Sequence, residues 1–185
     1  MVGNWPIHHP LVLHRCDVIA RMVSFVARYE ASTGWRLGRE RKEIKDLFVF
    51  FTADHPDSDK QDSVKYSEAH HHHSRAALRA IRKTGKARRS WVGGLRHEHP
   101  IPRNFVLESL LADPDVRALR ANAGQVVARI LSKHMCVAII TVKEDRRLSS
   151  AGLMREMPGD WNGEDHFARY AAIGLELLPP TGIGE

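Results

Sequence analysis

The run Cys136-Val137-Ala138-Ile139-Ile140 limits this chain more than any other segment. It is continuous, apolar, short and rich in β-branched residues, which favours a strand buried on both faces over a helix. The next four residues, Thr141-Val142-Lys143-Glu144, fit a capping box. A threonine hydroxyl and a glutamate three positions later satisfy each other's backbone N–H groups, so a helix should open at Thr141. Gly152 can end its first half.

Upstream the pattern is helical. Val12, Cys16, Ile19, Val23 and Val26 recur at three- or four-residue steps and predict a helix over 11–31, ended by Thr33-Gly34. Ile44, Leu47, Phe48 and Phe51 predict a second over 39–53, closed by the turn His55-Pro56-Asp57. A third is expected over about 61–83, with Val64, Ser67, His71, Leu78 and Ile81 near one face. It would carry the tract His70-His71-His72-His73, fanned around its circumference so that only His70 and His73 share a side.

From Ser90 to His99 the chain reads as extended, and Pro100 and Pro102 end any helix there. A short helix is expected over 104–111. Asp113-Pro114 opens another, with Val116, Leu119, Ala123, Val126, Val127, Ile130 and Leu131 along one side. Ile173 to Leu177 suggests an edge strand before Pro179-Pro180. The expected class is therefore α+β and mostly helical. A helical segment covers 1–88, and a strand–helices–strand–helix part covers 89–185.

With 43% hydrophobic and 27% charged residues, the 185-residue chain can bury a core and does not have a disordered composition. Cys16 and Cys136 lack zinc-type spacing and read as buried thiols. No secretory pattern opens the sequence, and no stretch approaches the ~20 apolar residues of a membrane span, so a cytoplasmic location is expected. The formal charge of +6 is concentrated: between Arg75 and Arg103 lie Arg75, Arg79, Arg82, Lys83, Lys86, Arg88, Arg89, Arg96 and Arg103, with Glu98 the only acid. Such a field attracts phosphate backbones. Nucleic acid is the expected partner, DNA ahead of RNA, and a membrane is not.

Chemistry concentrates in His97-Glu98-His99-Pro100-Ile101-Pro102, at the end of the extended stretch, and in Glu144 and Asp145, in the first turn of the helix from Thr141. An imidazole can take a proton from water, and carboxylates suit a hard divalent cation. Glu144 has sufficient work in the capping box, so Asp145 is the preferred ligand. Trp91, Trp161 and Tyr170 read as core aromatics. Arg169 is a candidate phosphate clamp.

Glu98-His99-Pro100-Ile101-Pro102 resembles the first strand of HNH (His-Me finger, ββα-metal) endonucleases, whose motif runs acid-His-x-x-Pro. The stretch from Ile139 to Leu148 resembles their second strand and metal-binding helix. The resemblance covers residues 90–155 and implies metal-dependent phosphodiester hydrolysis with Mg²⁺ or Mn²⁺. His99 would be the general base, and Glu98 and Asp145, with Glu144 behind them, the metal ligands. His97 would contact metal or phosphate, while Arg75, Arg79, Arg82, Arg88, Arg89, Arg96, Arg103 and Arg169 would hold nucleic acid. The alternatives are a non-catalytic basic nucleic-acid-binding protein and a protein-interaction or regulatory module.

Overall fold

The computed structural model describes residues 7–53, 71–84 and 94–181. Eight helices and four strands lie among them, a mixed α+β architecture as expected. The division near residue 88 is corrected. One compact unit is Met1–Pro56 with Arg103–Met135, and the other is Asp57–Pro102 with Cys136–Glu185. Helices inserted between two neighbouring strands find their apolar partners on the first two helices of the chain, so the units interleave in sequence.

The first unit is helical. Helix α1 (Pro10–Thr33) starts where His9 accepts the N–H of Leu11 and Pro10 presets the first turn. It ends at Gly34, whose φ of 74° needs glycine and whose N–H returns to Glu30 O. Its inner face buries Val12, Cys16, Ile19, Val23 and Val26. Around it lie α2 (Gly38–Ala53), α4 (Arg103–Ala112), α5 (Pro114–Arg117) and α6 (Ala123–His134). They add Ile44, Phe48, Val106, Leu110, Val116, Val127 and Leu131 to the core. At Gly124 α6 comes so close to α1 that a Cβ there would overlap the Asp17 side chain, which would have to turn away. The single helix expected after Asp113 is two helices. The chain breaks after Arg117, where Leu119 takes a φ of 49°, and Ser24 Oγ donates to Arg117 O at 2.8 Å.

The second unit is a mixed sheet ordered β2-β3-β1-β4. Strand β3 (Ala138–Thr141) is central, as the apolar run requires. Strand β2 (Leu95–Glu98) pairs antiparallel with it, Leu95 opposite Thr141 and Glu98 opposite Ala138. On its other side β1 (His72–Ser74) runs parallel, and β4 (Leu177–Leu178) is the edge. The histidine tract is thus corrected from helix to strand as far as it is described. His70 and residues 61–69 of the expected third helix lie outside the described residues. The helix that does form, α3 (Arg75–Thr84), starts one residue after β1, because the Ser74 hydroxyl accepts the N–H of Ala77.

Two layers cover the sheet. On one face, α3 packs Ala77 and Ile81 against Leu95, Val137 and Ile139. On the other, α7 (Val142–Ser150) and α8 (Ala168–Ala172) pack Leu148 and Tyr170 against Ala138 and Ile140. The capping box at Thr141 and Glu144 is formed as expected. Tyr170 is core, and burial pushes its phenol well above the usual range. Both cysteines are free; burial raises the Cys16 thiol to about 12 and Cys136 to about 11, which makes neither a nucleophile near neutral pH. No helix among the described residues is long and apolar enough to cross a membrane.

Candidate functional site

Strand alternation sorts the sequence-predicted residues of β2 onto opposite faces. Arg96 and Glu98 share the face of Ile140 and Ala138, under α7 and α8. His97 shares the face of Ile139, under α3. The acidic and imidazole halves of the expected site therefore occupy different layers of the unit.

On the α7/α8 face each carboxylate has a structural partner. Glu144 Oε2 accepts from Thr141 N at 2.8 Å, Thr141 Oγ1 at 2.9 Å and, in the interior, Ser74 Oγ at 2.7 Å. It ties the C-terminal ends of the parallel strands β1 and β3 together. Asp145 faces Arg96 at 3.6 Å. Glu98 pairs with Arg169 at 3.3 Å.

Arg169 has the most consequential placement. It is 1% exposed and donates to Pro100 O (2.9 Å), Leu153 O (2.7 Å), Met154 O (3.0 Å) and His99 O (2.5 Å) as well as to Glu98. The sequence expectation of a phosphate clamp is corrected: a guanidinium spent on four carbonyls and a carboxylate cannot reach a phosphate. Instead it pins residues 98–100, and so sets the path on which His99 leaves β2.

On the α3 face the imidazoles gather. The rings of His71 and His97 meet edge-on with centroids 5.3 Å apart, and those of His97 and His99 at 5.9 Å. His71 is buried, and its carbonyl lies 2.8 Å from His73 Nδ1. His97 and His99 are half-buried. His71 joins because β1 stands one strand beyond β3 from β2; the sequence signal was Ser74, a helix cap that splits the expected long helix directly after the tract. His72 points to the opposite face, with its ring 4.6 Å from that of Phe167. Burial, then the neighbouring His73, holds the His72 imidazole below the usual histidine range.

The expected basic surface is brought together only in part. Arg75, Arg79 and Arg82 share the exposed side of α3, at steps of four and three, and Arg75 also pairs with exposed Glu176 at 3.0 Å. Arg103 belongs to the helical unit, where it donates to Lys45 O at 3.0 Å and faces Asp46 at 3.6 Å. Arg88, Arg89 and Trp91 lie outside the described residues.

The donor set does not fit Mg²⁺ or Mn²⁺. A hard cation needs several oxygens free to converge, whereas Glu98, Asp145 and Glu144 are directed to an arginine, another arginine and a helix cap. Among the described residues no three His, Cys, Asp or Glu side chains are arranged to hold one metal ion. The site offers imidazoles at the end of β2, on the sheet face that α3 covers. No protein-family model, curated protein or solved structure matches the chain.

Proposed function

We propose that the sheet-containing unit cleaves phosphodiester bonds of nucleic acid at the exit of β2, with His99 as the general base. The observation that carries this reading is the local order: β2 ends at Glu98, directly before His99, and pairs antiparallel with β3, and β3 runs without a loop into α7. That is the order the His-Me finger resemblance implies, with the helices of residues 103–135 inserted between the strands.

Neutral His99 takes a proton from the attacking water as its oxygen bonds to phosphorus. The bond from phosphorus to the leaving oxygen then breaks, that oxygen takes a proton from solvent water, and the His99 imidazolium returns its own proton to solvent. His97 supports the ring of His99 from the strand. Arg169, by fixing the His99 carbonyl, keeps the imidazole at one position, which is where general-base efficiency is won or lost. Arg75, Arg79 and Arg82 supply attraction for the phosphate backbone. No step is assigned to a metal, because the carboxylates are committed elsewhere.

The dispersal of the carboxylates supports a second reading, a basic nucleic-acid-binding unit without catalysis. One experiment separates the two. Plasmid DNA, single-stranded DNA and RNA are incubated with wild type and His99→Ala in Mg²⁺, in Mn²⁺ and in EDTA. The nuclease reading expects cleavage by wild type that falls sharply in the variant. Equal cleavage by both removes His99 from the mechanism, and binding without cleavage in any condition leaves the second reading.

A further inference from the structure

The solvent face of α1 is unlike that of an ordinary surface helix. Leu11, Val18, Phe25 and Tyr29 are exposed, with Phe25 at 53%. Helical spacing sets them in a narrow stripe, bordered along one edge by the exposed residues His14, Arg21 and Arg28. Beyond the helix end, Trp35 is 75% exposed and is followed by Arg36, which pairs with Glu108 at 3.3 Å. We infer that this face, from Arg21 to Arg36, is a docking surface for single-stranded nucleic acid. The inference names a substrate form for the nuclease reading and rests on that reading only in this respect.

Large aromatic side chains are rarely left this open to water unless something covers them. Here the rings alternate with guanidinium groups: Arg21, Phe25, Arg28 and Tyr29 follow at steps of four, three and one. Phe25 and Tyr29 stand one turn apart with ring centroids at 6.1 Å. Rings on which bases can stack, interleaved with cations for the phosphates, are what single strands require, because every base has a π face whatever its sequence. A duplex keeps its bases stacked inside and cannot use the rings.

The charge balance agrees. Glu30, the acid of α1 closest to the aromatic end, is taken by Arg41 at 2.6 Å and by Leu37 N at 2.8 Å. That arginine holds its carboxyl down at about 2. Arg21 and Arg28 make no ion pair among the described residues, and Asp17 lies at the border, a turn before Arg21. The backbone at Trp35 is held after the left-handed turn at Gly34, where its main-chain N–H donates to Thr33 Oγ1 at 3.1 Å.

Other occupants fit less well. A partner helix, or a second copy of the chain, wants a second apolar row beside the first, and His14, Arg21 and Arg28 occupy that row. A lipid surface wants a broad apolar face to sink into the headgroup layer, and the broad apolar face of α1 is already buried in its own unit.

The test measures fluorescence anisotropy of a labelled oligothymidylate and of a labelled duplex. It uses the full chain carrying His99→Ala, so that the probe survives. The expected result is tighter binding of the single strand than of the duplex, with quenching of tryptophan emission that disappears in Trp35→Phe. Adding Phe25→Ala and Trp35→Ala together should weaken single-strand binding by about tenfold or more, and Arg21→Ser with Arg28→Ser should weaken it and flatten its salt dependence. These sites are exposed, so unchanged helical circular dichroism is expected alongside. Unchanged affinity in both double variants overturns the inference, as does preference for the duplex. Capture of phosphatidylserine vesicles in place of the oligonucleotide, or self-association abolished by the same substitutions, also overturns it. Cleavage by wild type with unaltered binding in the double variants would remove the α1 surface alone, whereas α1-dependent binding without cleavage would remove the nuclease reading alone.

Discussion

The α7/α8 face of the sheet gives its carboxylates fixed partners: Asp145 meets Arg96, Glu98 meets Arg169, and Glu144 closes a cap and receives Ser74. The α3 face carries imidazoles instead, His71 against His97 and His97 against His99, amid Leu95, Val137 and Ile139. The same strands supply both faces. A carboxylate drawn inward is charged and must be paired or it costs several kcal/mol, while imidazole can be buried neutral. Glu98, Asp145 and Glu144 are therefore tied into the structure, and the proposed proton transfer falls to the histidine side.

The comparison breaks first at His99. If the imidazole side is the chemical one, His99→Ala should lower cleavage by roughly 10²–10⁴-fold with unchanged thermal stability, measured by initial rates and a melting curve. A rate unchanged by this substitution would leave the two faces chemically equal.

Arg169→Ala sharpens the structural side. It strands Glu98 and removes the donor from four carbonyls, so urea unfolding should show a loss of about 3 kcal/mol. A loss below ~1 kcal/mol would mean that the loop after β2 does not depend on this residue.

Glu144 distinguishes capping from charge. Glu144→Ala should cost about 2 kcal/mol by leaving Ser74 Oγ and Thr141 N without their acceptor. Glu144→Gln, whose amide oxygen can still accept, should cost less than half of that. Equal losses would show that the negative charge has work beyond the cap.

The smallest effect is expected at Asp145, whose partner Arg96 is half-exposed. Asp145→Asn should change stability by no more than ~0.5 kcal/mol and leave Mg²⁺ binding, followed by isothermal titration, as it was. A measurable loss of Mg²⁺ affinity would restore Asp145 as a ligand and overturn the assignment of the acids to structure.

What the sequence determined by itself is local. The spacing of Val12 to Val26 with Gly34 at its end specifies α1, and Thr141 with Glu144 specifies the start of α7. The five-residue apolar run specifies a central strand, although the ladder itself starts at Ala138. Each depends on residues within one or two turns of each other, so the pattern contains its own cause.

Only the tertiary structure decided the rest. His72 to Ser74 form a strand because β3 and β4 pair with them on both sides; nothing in a run of histidines specifies that partner. Arg169 lies in the interior because the carbonyls around Pro100 and Leu153 converge on it from distant parts of the sequence. The alternation that separates Glu98 from His97 and His99 was readable from neighbouring positions on one strand. Which layer covers each side was not, and that cover set the acids against arginines and a helix cap and gathered the imidazoles on the other face.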